Sequence, residues 1–120
     1  MYGYESILSE LGRILFGGYF TLMGVNHFAK KDMLVGYAKS KNVPSPEMAV
    51  LGTGVLLLVG GISVLLGMDT AGATALTLFL VPVSFKMHAF WAETDPMMKM
   101  GDMTNFLKNL ALLGATWMMF

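Results

Sequence analysis

The chain has 120 residues, of which 55% are hydrophobic and 13% charged, and its formal net charge is zero. Soluble domains carry about 25% charged residues, and runs such as Val50–Met68 and Ala71–Val83 have no polar face to show water. The totals argue against a soluble domain, against nucleic acid as a partner and, because cysteine is absent, against disulfide, dithiol or iron–sulfur chemistry.

At about 20 residues per span, the length accommodates four transmembrane helices with short loops. Glu5 and Glu10 stand where a cleavable signal would be basic, so the N-terminus reads as a retained first span. That span runs from about Glu5 to Phe28. Ile7, Leu8 and Leu11 share a face at its start, and Glu10 sits three residues before Arg13, a spacing that predicts a structural ion pair. Gly17 and Gly24 lie seven apart on one face, where a second helix can approach closely.

Residues 29–46 form the longest loop. The placement of Met33, Leu34, Tyr37 and Ala38 predicts a short interfacial helix over about Lys30–Ser40, with Lys30, Lys31, Lys39 and Lys41 turned to headgroups. Pro44 and Pro46 end it, and Ser45 is the predicted N-cap of the next span. Span two covers about Pro46–Gly67 and holds Gly52, Gly54, Gly60 and Gly61. The tight turn Gly67–Gly72 makes spans two and three antiparallel neighbours. Span three, about Ala71–Trp91, contains Pro82 and ends in Lys86, His88 and Trp91. Span four covers about Met103–Phe120, with Asp102 or Thr104 as N-cap. The expected architecture is a single all-α membrane domain, a four-helix up-and-down bundle with spans at about 5–28, 46–67, 71–91 and 103–120.

Alternation of the spans places Lys30, Lys31, Lys39, Lys41, Lys86, Lys99 and Lys108 on one side and Arg13 on the other. The lysine-rich side is then cytoplasmic and both termini are outside, in a multi-pass protein of the cell membrane. The same alternation gathers Asn26 and His27, then Lys86, His88 and Trp91, then Asn105, Lys108 and Asn109 at one end of the bundle. Asp32, Glu47, Glu93, Asp95 and Asp102 lie near its rim. A pocket for a ligand or a partner is expected there, at Asn26, His27, Lys86, His88, Trp91, Lys108 and Asn109. Lys86 can snorkel or face the bundle. Asn109 suits an interhelical hydrogen bond, and Trp91 an interface anchor. The two histidines form no HxxxH or ExxH pair, so no metal site is expected. The Met97, Met98, Met100 and Met103 cluster reads as flexible apolar filling in preference to a copper site. A quinone headgroup is the better ligand candidate, because its carbonyls accept from His or Lys.

Four stretches carry a resemblance: GRILFGGYFTLMGVNHF at 12–28, GYAKSKNVPSPE at 36–47, SFKMHAFW at 84–91 and NFLKNLALLGA at 105–115. Together they resemble the DoxX family of small membrane proteins, which includes the small subunit of thiosulfate–quinone oxidoreductase. The resemblance implies a four-span bundle associated with membrane oxidoreductases. Its recurring positions correspond to Arg13, Asn26, His88, Trp91, Lys108 and Asn109, and it brings no catalytic set. Some redox-related relatives use cysteine pairs, which this chain lacks. The expected function is an accessory, non-catalytic subunit of a larger membrane-bound oxidoreductase, with other membrane subunits and the lipid bilayer as partners. A quinone-binding or quinone-reducing subunit and a small transporter or channel are the alternatives.

Overall fold

A computed structural model describes residues 4–120. Residues 1–3, part of the N-terminal stretch read as retained, lie outside the described residues. The described chain is helical: α1 (Tyr4–Ala29), α2 (Lys31–Ser40), α3 (Pro46–Leu65), α4 (Asp69–Met87), a 3₁₀ turn (Phe90–Ala92) and α5 (Pro96–Trp117). Among the described residues, two segments are long and apolar enough to cross a membrane, Pro46–Leu65 and Asp69–Ala92. The other long helices, α1 with 26 residues and α5 with 22, have the length, but Glu10 and Arg13 in one and Lys99, Asp102 and Lys108 in the other dilute their hydropathy.

Local chemistry explains most boundaries. α2 forms where the apolar spacing predicts it. Pro46 starts α3, since a proline in the first turn gives up no helical hydrogen bond. Ser45 precedes it in the left-handed region (φ 46°) and its side chain makes no capping bond, contrary to expectation. Gly67 turns the chain from α3 into α4 with φ 80°, a conformation glycine adopts without steric cost. The start of α5 differs from the sequence-based expectation. Asp95 is its N-cap, with the carboxylate accepting from Met97 N at 3.0 Å and Pro96 in the first turn. Asp102 and Thr104 therefore lie inside the helix and cap nothing.

The helices pack in sequence, α1 on α3, α3 on α4 and α4 on α5, while α2 lies against α3. The core is Phe20, Leu57, Val64, Leu76, Phe79, Leu80 and Leu113. Small residues set the α1–α3 contact. A methyl group on Gly61 would fall 2.5 Å from the Thr21 nitrogen and 2.8 Å from the Gly17 carbonyl oxygen, and one on Gly24 would fall 2.8 Å from Leu58 Cγ. α1 and α5 make no comparable contact, so the bundle has an open seam between them.

The predicted Glu10–Arg13 pair does not form. Arg13 Nη1 instead donates to Asp69 Oδ1 at 2.5 Å and to the Val64 carbonyl at 2.9 Å, while Glu10 is exposed. Packing of α1 on α3 brings Arg13 over the α3–α4 turn. There the terminal carbonyls of α3 and the first carboxylate of α4 together offer a better acceptor set than one solvated glutamate.

Candidate functional site

A cavity of about 340 Å³ lies among α1, α2, α3, α4 and α5. Its walls are apolar, with Phe20, Met23, Val50, Phe79 and Val83 among them. Its polar groups are carried by His27, Lys86, His88, Lys108 and Asn109, together with Tyr19, Tyr37 and Thr53. Among the described residues no carboxylate lines it, so the charged groups facing the space are cationic. Such a cavity suits a molecule with an apolar body and oxygen acceptors at one end.

Each polar group has a local reason for its place. His27 sits in the last turn of α1, its ring Nδ1 2.9 Å from the Met23 carbonyl, which accepts from it, and its edge near Phe79. His88 terminates α4. Asn109 is buried on α5, and the adjacent Lys108 is exposed yet reaches the cavity. The structure thus brings together five of the seven residues expected at the pocket: His27, Lys86, His88, Lys108 and Asn109. It leaves out two. Asn26 is exposed and does not line the cavity, because it lies about 100° around α1 from His27. Trp91 is half-exposed and packs edge-on against Phe106, centroids 5.4 Å apart, with Phe85 and Phe90 beside it.

Behind this end of the cavity is an ionic cluster. Lys41 Nζ lies 2.5 Å from Asp102 Oδ2 and 3.6 Å from Glu93 Oε2. The side chains of Lys41 and Asp102 are only 12% and 7% exposed, so Lys41 is turned inward and does not face headgroups as expected. His88 Nδ1 faces Asp102 Oδ1 at 3.8 Å. Burial works against the Lys41 ammonium, but the hydrogen bond and charge of Asp102, helped by Tyr37 and Glu93, outweigh it and hold the pKa above the ordinary lysine value. Burial likewise raises the Tyr37 phenol, with Lys41 opposing.

Sequence reasoning placed Asp102 at the rim and missed this cluster. A signal was available. The Asp95–Pro96 pair is a strong helix start, and a helix begun there puts Asp102 and Asn109, seven residues apart, on one face. Both are buried, together with Leu113 and Thr116.

A second cleft lies in the open seam between α1 and α5, lined by Gly12, Leu15, Phe16, Tyr19, Lys108 and Leu112. It shares Tyr19, Lys108 and Leu112 with the cavity. The cavity therefore adjoins a side opening between two helices.

No curated protein and no solved structure matches the chain. The DoxX family profile matches residues 8–89. The match takes in the stretches at 12–28 and 36–47, ends within 84–91 and stops short of α5, so the cavity wall carrying Lys108 and Asn109 lies beyond it. Because the matched residues cover more than half of the chain, which is helical and contains two segments able to cross a membrane, this protein belongs to the DoxX family of small membrane proteins.

Proposed function

We propose that the chain is an accessory membrane subunit of an oxidoreductase, one that contributes no redox group of its own. The observation that supports this best is the apolar face left uncovered on α1: Ile7, Leu8, Leu11, Ile14, Leu15, Leu22 and Val25 are all exposed, beside a seam that α5 does not close. Membership of the DoxX family is consistent with such a role. Purified from its native membrane in mild detergent, the protein should migrate with larger subunits. Migration as a free monomer would overturn the reading.

The cavity favours a second reading, in which the subunit also holds a quinone. The residues present fit that group. Apolar walls suit a ring and tail, donors on Lys86, Lys108 and Asn109 suit quinone oxygens, and the α1–α5 seam offers an isoprenoid tail a way in from the lipid. A bound quinone would supply an electron-accepting ring, and the chain's residues would bind and orient it. Stoichiometric quinone extracted with the assembled complex, and lost on His88→Ala, would support this. An assembled complex free of quinone would sink it.

A further inference from the structure

We propose that Asp102, anchored by Lys41, is a positioning residue for His88: it keeps the imidazole proton on Nδ1, so that Nε2 offers a lone pair to the hydroxyl of a quinol in the cavity. This rests on the quinone reading above and adds to it a preference for the reduced ligand.

The geometry around His88 carries the inference. Its side chain is 14% exposed and lines the cavity. Among the described residues, its Nδ1 is the one buried side-chain polar atom with no hydrogen-bond partner. A buried ring nitrogen without a partner is costly, and the group facing it is Asp102 Oδ1 at 3.8 Å. Lys41 occupies the other carboxylate oxygen, Oδ2, at 2.5 Å. The carboxylate oxygen facing the ring is an acceptor, so a neutral imidazole that bonds to it carries its proton on Nδ1. Nε2 is then the acceptor, and it is not among the buried atoms lacking a partner. The 3.8 Å separation is too long for a hydrogen bond. Contacts of this kind commonly tighten when the ligand arrives.

The charged and titratable groups that share this end of the cavity, or the ionic cluster beside it, with His88 are Lys86 on its own helix, Asp102 and Lys108 on α5, Lys41 after α2, Glu93 after the 3₁₀ turn, Tyr37 on α2 and His27 on α1. Among those lining the cavity, Lys86, Lys108 and Asn109 donate, whereas a neutral His88 fixed in this way accepts at Nε2. A quinol, with a hydroxyl to give, satisfies that acceptor. A quinone carbonyl sets one lone pair against another. If the proton moves, the quinol O–H bond breaks, an Nε2–H bond forms, and the resulting imidazolium faces the Asp102 carboxylate.

The chain has two histidines, which makes nitrogen NMR direct. Protein labelled with ¹⁵N-histidine is reconstituted in lipid nanodiscs, and His27→Gln assigns the signals. His88 should show a protonated Nδ1 and a bare Nε2, and decylubiquinol should shift the Nε2 signal. In the double variant Asp102→Asn/Lys41→Gln, which removes both members of the most buried pair and leaves the more exposed Glu93 without this lysine, the two tautomers should mix and quinol affinity should fall about tenfold. Asp102→Glu should restore both. A proton on Nε2 in the unmodified protein, which needs no variant to detect, would overturn the proposal. So would a tautomer indifferent to residue 102. A correct, Asp102-dependent tautomer whose Nε2 ignores decylubiquinol would overturn the quinol as the ligand of Nε2, while the role of Asp102 in fixing the tautomer would stand and the quinone reading would be decided by the extraction above.

Discussion

Lys41 Nζ and Asp102 Oδ2 lie 2.5 Å apart, joining the residue after α2 to the second turn of α5 across 61 positions of sequence. The pair ties the end of α2 to α5, between which no other hydrogen bond or ion pair runs among the described residues. α2 lines one side of the cavity through Leu34, Tyr37 and Ala38, and α5 lines another through Lys108, Asn109 and Leu112. With both side chains nearly buried, each ion depends on the other for its solvation. Removing one partner should therefore cost far more than removing both. Lys41→Met strands the Asp102 carboxylate and should lower stability by about 3 kcal/mol, whereas Lys41→Met/Asp102→Leu should recover most of the loss. Thermal unfolding in mild detergent, followed by tryptophan fluorescence, measures both. Losses that simply add would show that the two residues are not coupled.

The same pair sets a pH dependence at the alkaline end. The Lys41 pKa is raised in the folded chain, so the charged form is favoured by folding. Its contribution is complete below the unfolded lysine value of about 10.4 and is lost as pH rises through the higher folded value. The Tyr37 phenol, also raised, acts in the same direction, since folding favours its neutral form. Stability should thus hold level from about pH 7 to pH 10 on account of these groups and fall above that. Lys41→Met/Tyr37→Phe should flatten the alkaline fall. An unchanged profile in the double variant would assign the fall to other groups.

The helical class and α2 follow directly from periodicity and proline placement, because both depend on neighbours in sequence. The inward face of α5 does not. Charges at 99, 102 and 108 obscure the apolar period, and only the start at Asp95–Pro96 fixes which of them turns inward. The partner of Arg13 was hidden for a related reason. Spacing brings Glu10 within reach on the helix, but the choice between Glu10 and Asp69 depends on which turn α1 packs over, and the glycines at 17, 24 and 61 decide that. His27, Lys86, His88, Lys108 and Asn109 were legible as a group because alternation alone brings the ends of neighbouring helices together. Asn26 was grouped with them by position along the helix, and rotation around the helix removes it.

Arg13 gives a test that separates the two pairings. Asp69→Asn removes the charge that Arg13 contacts at 2.5 Å and leaves it a neutral amide oxygen and the Val64 carbonyl as acceptors. With side chains 28% and 38% exposed, the loss should be about 1 kcal/mol. Glu10→Gln should change stability by less than about 0.5 kcal/mol, because that side chain is exposed and, among the described residues, acts on Arg13 through its charge without a direct contact. Equal effects from the two variants would restore the local pair on α1.

How many helices cross the bilayer is open to a direct test. At 1.5 Å per residue, the 22 residues of α5 extend about 33 Å, close to the ~30 Å hydrocarbon thickness. Its charges are Lys99, Asp102 and Lys108, with none from Asn109 to Trp117; Lys41 neutralises Asp102, and the Lys99 and Lys108 stems are long enough to reach the headgroups. The 26 residues of α1 have ample length, with Arg13 held by Asp69 at the opposite end from the cavity's histidines. We therefore expect α1 and α5 to span alongside α3 and α4. Because the chain has no cysteine, single cysteines report without background. Met68→Cys and Phe120→Cys should react with a membrane-impermeant maleimide on intact cells, and Lys39→Cys and Thr94→Cys only in inverted vesicles. If α5 instead lies along the surface, Phe120→Cys will label from the same side as Thr94→Cys, and the bundle has fewer than four spans. If all four positions react from the sides opposite to those expected, the bundle spans four times with the lysine-rich loops outside, and the positive-inside bias fails for this chain.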